Sequence, residues 1–459
     1  MIKYIAHKED LFHWSDPFIA LAYILIIYII ALFIKGAFIE KHSEYKYLIK
    51  GLTIKIVGAI AFTMIYLFYY DDGDTILYFE GSRALTKVLI ESPSEFLRFI
   101  FSSHHLEPSL QYIRQHITYS KSPEEWFMVK LLTPINILSF NRFLIAQIVM
   151  SVVTMIGSWK MFQAFLFFYP EKKKEAFYAV FLIPSVILWG SGILKDSVTF
   201  AFLGLLFYFS VKNIYQLKVN FKAYTIIALS IYLIFNIKAY IILGFLPAIT
   251  IGWVAYNRDR IKSKFLRNIL TPFILVIAIG IGGEVVKNLQ ADSDKYAADN
   301  IKSRIDGFHT WHTLLGGSSY DLGEIEYTPL GILKVFPSAV NVTFFRPYIT
   351  EISSAAISIG AIQSSYFLLL FIFILFHYRL SWLRTIFKDP LLLLSFTFSL
   401  IFGFMIGFTS YNFGALDRYK IPVMPFFAYI LFYFYFEYKD KKKADKLAKE
   451  TLLDLKKMF

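Results

Sequence analysis

The run Tyr69-Tyr70-Asp71-Asp72-Gly73-Asp74-Thr75 ends an apolar segment at 52–70. A second run, Trp189-Gly190-Ser191-Gly192-Ile193-Leu194-Lys195-Asp196-Ser197, interrupts another apolar stretch. Charges at the edge of hydrocarbon cost free energy unless they are hydrated or paired, so both runs point first to a site. The apolar sequence around them decides the fold. Of 459 residues, 57% are hydrophobic and 18% charged. A soluble chain carries about 25% charged residues, so a bilayer accounts for this composition better than a core does.

The apolar runs divide into about eleven segments long enough, or nearly so, to cross about 30 Å of hydrocarbon. They lie near 17–35, 52–70, 142–161, 176–190, 196–212, 222–237, 239–256, 269–286, 355–377, 390–408 and 420–437. The expected fold is all-α, a polytopic membrane helix bundle. One transmembrane domain covers 1–437, with long loops at 71–141 and 287–354, and a basic tail follows at 438–459. The segments at 176–190 and 222–237 are short enough to be hairpins that cross only in part. The stretch Thr75–Glu91 places Ile76, Phe79, Leu85, Val88 and Leu89 near one face, as in a helix lying on a membrane surface.

The net charge of +13 is sorted by loop rather than gathered into a nucleic-acid patch. Lys35, Lys41, Lys46 and Lys50 lie between the first two segments. Lys172, Lys173 and Lys174, then Lys212, Lys218 and Lys222, then Arg258, Arg260, Lys262, Lys264 and Arg267 fill alternate short loops. Arg379, Arg384 and Lys388, and Lys439, Lys441, Lys442 and Lys443, continue the pattern. All fall on one side if the segments alternate, and the positive-inside rule makes that side cytoplasmic. The N-terminus is then outside, the C-terminus inside, and the tail reads as a helix on anionic headgroups. The first residues lack the order of a cleaved signal, so the first segment is expected to insert uncleaved.

In this topology the chemistry-bearing residues share the outer face. Asp71, Asp72 and Asp74 open the first long loop, and Lys195 and Asp196 occupy a turn, as do Asn236 and Lys238. Arg346 and Glu351 lead into the ninth segment, and Asp417 and Arg418 into the last. Cations neutralise phosphate and a carboxylate takes a proton from a hydroxyl, so the set suits a phosphate-bearing lipid. Each residue also has a plain structural reading. Gly73 makes a turn and Asp72 or Asp74 caps the next helix. Lys195-Asp196 is a turn between spans, and Lys238 snorkels to headgroups. Arg346 and Arg418 pair with Glu351 and Asp417 or with lipid. With no Cys, the chain has no disulfide, zinc–thiolate site or cysteine nucleophile. His309 and His312 lack an evident third ligand, and His104-His105 have only Glu107 nearby, so no metal site is expected. No phosphate-cradling glycine loop, Ser-His-Asp arrangement or nucleic-acid motif is present.

The run Leu182-Ile183-Pro184-Ser185-Val186-Ile187-Leu188-Trp189-Gly190-Ser191-Gly192-Ile193-Leu194-Lys195-Asp196-Ser197 resembles a segment of bacterial polytopic glycosyltransferases of the GT-C type. Asp417-Arg418-Tyr419-Lys420-Ile421-Pro422-Val423-Met424-Pro425 looks like the Arg-Tyr…Pro…Pro opening of a late span in such enzymes and in polysaccharide polymerases. Phe344-Phe345-Arg346-Pro347-Tyr348-Ile349-Thr350-Glu351 is similar to an Arg-Pro…Glu segment of related membrane proteins. The chain departs from the GT-C pattern in two ways. Its acidic run follows the second segment rather than the first, and the common Asp-Glu pair is replaced by Asp71-Asp72-Gly73-Asp74.

The resemblance implies an enzyme of the bacterial inner membrane, with a polyprenyl-phosphate or polyprenyl-diphosphate sugar donor and an acceptor hydroxyl on lipid, glycan or protein. Asp74 or Asp72, with Asp71 beside them, supplies the base. Lys195, Lys238, Arg346 and Arg418 hold the donor phosphate. Tyr419 and Trp189 stack on sugar or isoprenoid, near Glu351 and Asp196. No cofactor is required; a divalent metal is an open alternative with no ligand set to support it. Two other functions compete: a lipid-linked-oligosaccharide transporter, which needs charges along a path at mid-membrane depth, and a non-enzymatic subunit of an assembly.

The absence of native Cys makes the topology directly testable. A single cysteine at Arg260→Cys should react with a membrane-impermeant maleimide only after the cells are opened. Labelling in intact cells would reverse the orientation.

Overall fold

The computed structural model describes residues 11–70, 72–101, 117–120, 122–258, 318–323, 325 and 329–458. Within these the chain is helical. There is no strand among the described residues, only one isolated bridge between Ser319 and Asn412. The helices are α1 (Asp16–Phe38), α2 (Leu48–Ile65), α3 (Asp74–Glu91), α4 (Pro93–Phe101), α5 (Pro123–Leu138), α6 (Phe143–Phe168), α7 (Lys173–Phe181) and α8 (Pro184–Trp189). They continue as α9 (Lys195–Phe209), α10 (Phe221–Tyr256), α11 (Pro329–Phe345), α12 (Ala355–Tyr378), α13 (Ser381–Lys388), α14 (Pro390–Thr409), α15 (Phe413–Tyr419) and α16 (Met424–Met458).

Among the described residues seven helical stretches are long and apolar enough to cross a membrane, or eight if the bent pair α15–α16 is one span. The expected segments near 17–35, 52–70, 142–161, 196–212, 355–377 and 390–408 fall on such helices. The segment near 269–286 lies outside the described residues, as do His104, His105, Glu107, His309 and His312. The stretch 176–190 is not one helix. Pro184 lacks the amide hydrogen that would continue α7 and instead opens α8, so two short helices replace a span. The stretches 222–237 and 239–256 are two helical segments, together labelled α10, that meet where Lys238 leaves helical geometry (φ −150°, ψ 75°). The break expected at Asn236–Lys238 is present, at Lys238. The final segment opens as expected, with Pro422 between α15 and α16 and a 79° bend between them. The helix α16 then runs to Met458, so 438–458 continues it rather than forming a separate tail helix.

The chain divides into two compact units, one of residues 1–167 with 180–243 and one of 168–179 with 244–459. In the first, the π turn Tyr66–Tyr70 follows α2, and Gly73, at φ +134°, makes the turn into α3. That positive φ strains any residue with a Cβ, which explains glycine there. The expected cap is absent. Gly73 itself holds the N-cap position with no side-chain bond, while Asp72 Oδ1 accepts from the Gly73 N–H at 2.7 Å. The apolar face of α3 does not lie on a membrane as expected. Ile76, Tyr78, Phe79 and Leu85 are buried with Trp126, Met128, Val129 and Leu132 of α5.

In the second unit α11 packs on α14. Thr343 Oγ1 donates to the Gly403 carbonyl at 2.6 Å, and Ala339, Phe408 and Tyr411 share a core cluster. Phe344 stacks on Phe427 at 4.0 Å between centroids.

Backbone contact sets the α6–α9 packing in the first unit. A Cβ at Gly204 would stand 2.1 Å from the Gly157 carbonyl oxygen. Small residues let helices approach this closely in a bilayer, where dispersion replaces the hydrophobic drive. Gly204→Ala should lower stability by about 1–3 kcal/mol, read as the thermal midpoint of the purified chain. Gly36→Ala in α1, with nothing within 4 Å of its Cβ, should leave that midpoint in place. Equal midpoints would refute the contact.

Candidate functional site

Four of the expected residues lie in the first unit, in three separate pairings. Asp74, in the first turn of α3, accepts a 2.8 Å hydrogen bond on Oδ1 from the Tyr119 hydroxyl. The Tyr119 ring lies 4.8 Å from that of Tyr78. Lys195, the first residue of α9, is paired with Glu125 in the first turn of α5. Next along α9, Asp196 is 1% exposed and paired with Lys238 at the α10 kink. Burial pushes the Tyr78 hydroxyl far above its ordinary range, reinforced by the negative charges of Asp74, Glu125 and Asp196 and by Tyr119. The phenol therefore stays protonated and able to donate.

The pairings have a physical cause. A carboxylate with almost no exposure needs a cation or several donors, because its desolvation exceeds what any single neutral contact returns. For Asp196 that cation is Lys238, and the pairing coincides with the break in α10. The α9 N-terminus favours the Asp196 charge and opposes that of Lys195. Glu125 supplies the counter-charge that Lys195 needs.

A chain of neutral hydrogen bonds joins the two acidic runs. Fully buried Gln147 of α6 donates from Nε2 to Thr75 Oγ1 at 3.0 Å, and its Oε1 accepts from the Ile193 N–H at 2.7 Å. Thr75 adjoins Asp74, and Ile193 is two residues before Lys195. Asp72 is exposed, and Asp71 lies outside the described residues. Trp189 is 7% exposed with its ring edge-on to Phe62, a packing role within the unit.

The remaining expected residues belong to the second unit. Arg346 forks onto Glu351, with Nε 3.1 Å from both carboxylate oxygens and Nη2 on Oε1. Its guanidinium lies 5.3–5.9 Å from the ring centroids of Tyr320, Tyr348 and Phe413. A phosphate at Arg346 would compete with this carboxylate. Burial raises the Glu351 carboxyl, but the bonds from Arg346 and from the Tyr348 N–H outweigh it and hold the group below its usual range. Asp417 is paired with fully buried Lys420 at 2.6 Å. The ion pair expected of Asp417 with Arg418 is thus made with Lys420, one turn on, which the apolar surroundings require to be neutralised. Arg418 and Tyr419 are half-buried at the end of α15.

Sequence reasoning missed Glu125, Tyr119, Tyr78 and Lys420. Glu124-Glu125 after Pro123 has the composition of an ordinary helix start, and nothing local marks Tyr119. Among the described residues no group of three acidic or imidazole side chains could hold a metal ion. The first-unit cluster can accept a proton at Asp74, donate from tyrosine, and present two ammonium groups to an anion.

The Arg346–Glu351 pair makes a definite acid response. The folded Glu351 value lies below the ordinary 4.5, so the pair's stabilisation is complete above that value and lost as pH falls through the folded one. At neutral pH, Glu351→Gln should unfold at a lower temperature than the parent. The gap should close as pH falls below the ordinary 4.5 and through the lower folded value. A gap that persists unchanged in acid would exclude the ion pair as its cause.

No family model matches the chain, and no curated protein or solved structure matches it either.

Proposed function

We propose that the protein is a membrane glycosyltransferase that moves a sugar from a polyprenyl-phosphate-type donor to an acceptor hydroxyl on the extracytoplasmic face. The observation that carries this reading is the first-unit cluster, a carboxylate held by a tyrosine beside two lysines, among helices long enough to span a bilayer. The acceptor oxygen attacks the anomeric carbon and its proton passes to Asp74. The bond from that carbon to the phosphate oxygen breaks, and the electron pair leaves with the polyprenyl phosphate. Lys195 and Lys238 face the charge that develops there, the largest contribution such groups make in a low-dielectric site. Tyr119 orients Asp74. On the orientation that the basic loop between α1 and α2 favours, with the N-terminus outside, the acidic run faces the acceptor.

The pairing of both amines with carboxylates favours a second reading, a non-enzymatic membrane subunit in which the cluster holds helices together. Turnover of lipid-linked sugar in membranes with matched protein levels separates the two. Asp74→Asn should lower transfer by about 100- to 10,000-fold, the range for loss of a general base. Lys195→Ala should also abolish most transfer, and Asp72→Asn should retain most of it. Parental transfer in Asp74→Asn would remove the base and leave the assembly reading.

A further inference from the structure

In the backbone between α8 and α9, residues Gly190 to Leu194, the flanking helices satisfy the Gly190 N–H and the Leu194 carbonyl, and the groups between these have no helical partner. Away from water such groups need partners within the protein. Two membrane-spanning helices supply them. From α2, Lys55 reaches in with 1% exposure and donates from Nζ to the Gly190 carbonyl at 2.8 Å. Its Nζ stands over the Phe200 ring at 5.1 Å, and among the described residues it has no carboxylate partner. From α6, Gln147 accepts the Ile193 N–H and donates to Thr75. Within the break, Ser197 Oγ accepts the Leu194 N–H at 3.1 Å and donates to the Gly192 carbonyl.

We infer that Lys55 and Gln147 form a two-sided clamp on the Gly190–Leu194 break, and that this clamp positions Lys195 and Asp196 relative to Asp74. Lys55 holds the carbonyl at the start of the break and Gln147 holds an amide near its end. Lys195 follows that amide by two residues. The other end of Gln147 reaches Thr75, so one side chain relates the break to the α3 turn that carries Asp74. A buried amine with no carboxylate beside it is an expensive way to cap one carbonyl, because an apolar side chain there would avoid its desolvation. That Lys55 is present at all points to the positioning of the break rather than to stability. Neither residue touches the groups assigned to the reaction, so both are positioning residues. The consequence for transfer rests on the proposed glycosyltransferase reading, whereas the clamp itself does not.

The test uses Gln147→Leu and Lys55→Met in the purified full-length chain, with two readouts. Amide hydrogen exchange reports the clamp without reference to activity. Losing one buried hydrogen bond should speed exchange by about tenfold in 190–194 in both variants, and near 75–79 in Gln147→Leu alone. Exchange in α12 and α14 should be unchanged. Turnover reports the positioning. Because misplacement of reacting groups by about 1 Å costs about 100-fold, kcat should fall by about 10- to 100-fold with KM for the donor nearly constant. Parental exchange in 190–194 would overturn the clamp. Faster exchange with parental kcat would overturn the positioning role. A parent that turns over no lipid-linked sugar would overturn the function proposed above, and the exchange result would still decide the clamp.

Discussion

Hydrocarbon offers no hydrogen bonds to a broken helix, and the architecture of the first unit answers that constraint. A chain that stops at Trp189 and restarts at Lys195 leaves carbonyls and amides that neither helix can satisfy. The structure brings Lys55, Gln147 and Ser197 to them from α2, α6 and α9. Each of these side chains is almost fully buried, so none reaches the break unless its helix packs against it. The charged turn that follows is then a fixed feature. Lys195 and Asp196 leave the same helix start in different directions, one to Glu125 and the other to Lys238.

Charge is handled in the same way in both units, by pairing rather than by exposure. In the second unit Arg346 and Glu351 form a fork beside three aromatic rings, and Asp417 and Lys420 neutralise one another one turn apart. Pairs of this kind rarely add net stability over an apolar replacement, yet breaking one strands a charge. They therefore specify geometry more than they stabilise it. At Lys238 the pairing with Asp196 coincides with loss of helical geometry in α10, so a local charge and a bent helix are linked. At α15–α16 the bend falls beside the Asp417–Lys420 pair and at Pro422, where the missing amide removes a helical bond.

The glycosyltransferase reading draws on both levels of description. The resemblance of the Lys195, Arg346 and Arg418 segments suggests a phosphate-linked donor, and the acidic run suggests a base. The tertiary structure adds Tyr119 on Asp74 and a second carboxylate, Glu125, on Lys195. It also adds a complication, because the amines proposed to meet phosphate are already matched by acids. On that reading, a donor that binds there exchanges partners with Glu125 and Asp196.

By itself the sequence determined the membrane-helical class, the two breaks and most of the residues that carry charge beside them. Apolar content and turn residues are local properties, and hydrocarbon thickness converts them directly into helices. Span identity was legible only where a segment was both long and uninterrupted. Pro184 divided one apolar stretch into two short helices, whereas the break between 222–237 and 239–256 is present at Lys238. Only the tertiary structure decided which acid meets which amine, that α3 turns its apolar face onto α5, and that Lys55 and Gln147 serve the break. Lys195 and Glu125 are 70 residues apart, Tyr119 and Asp74 are 45 apart, and Lys55 and Gly190 are 135 apart. A buried polar group takes whichever partner packing brings within about 3 Å, and that choice belongs to the assembled helices rather than to any one segment.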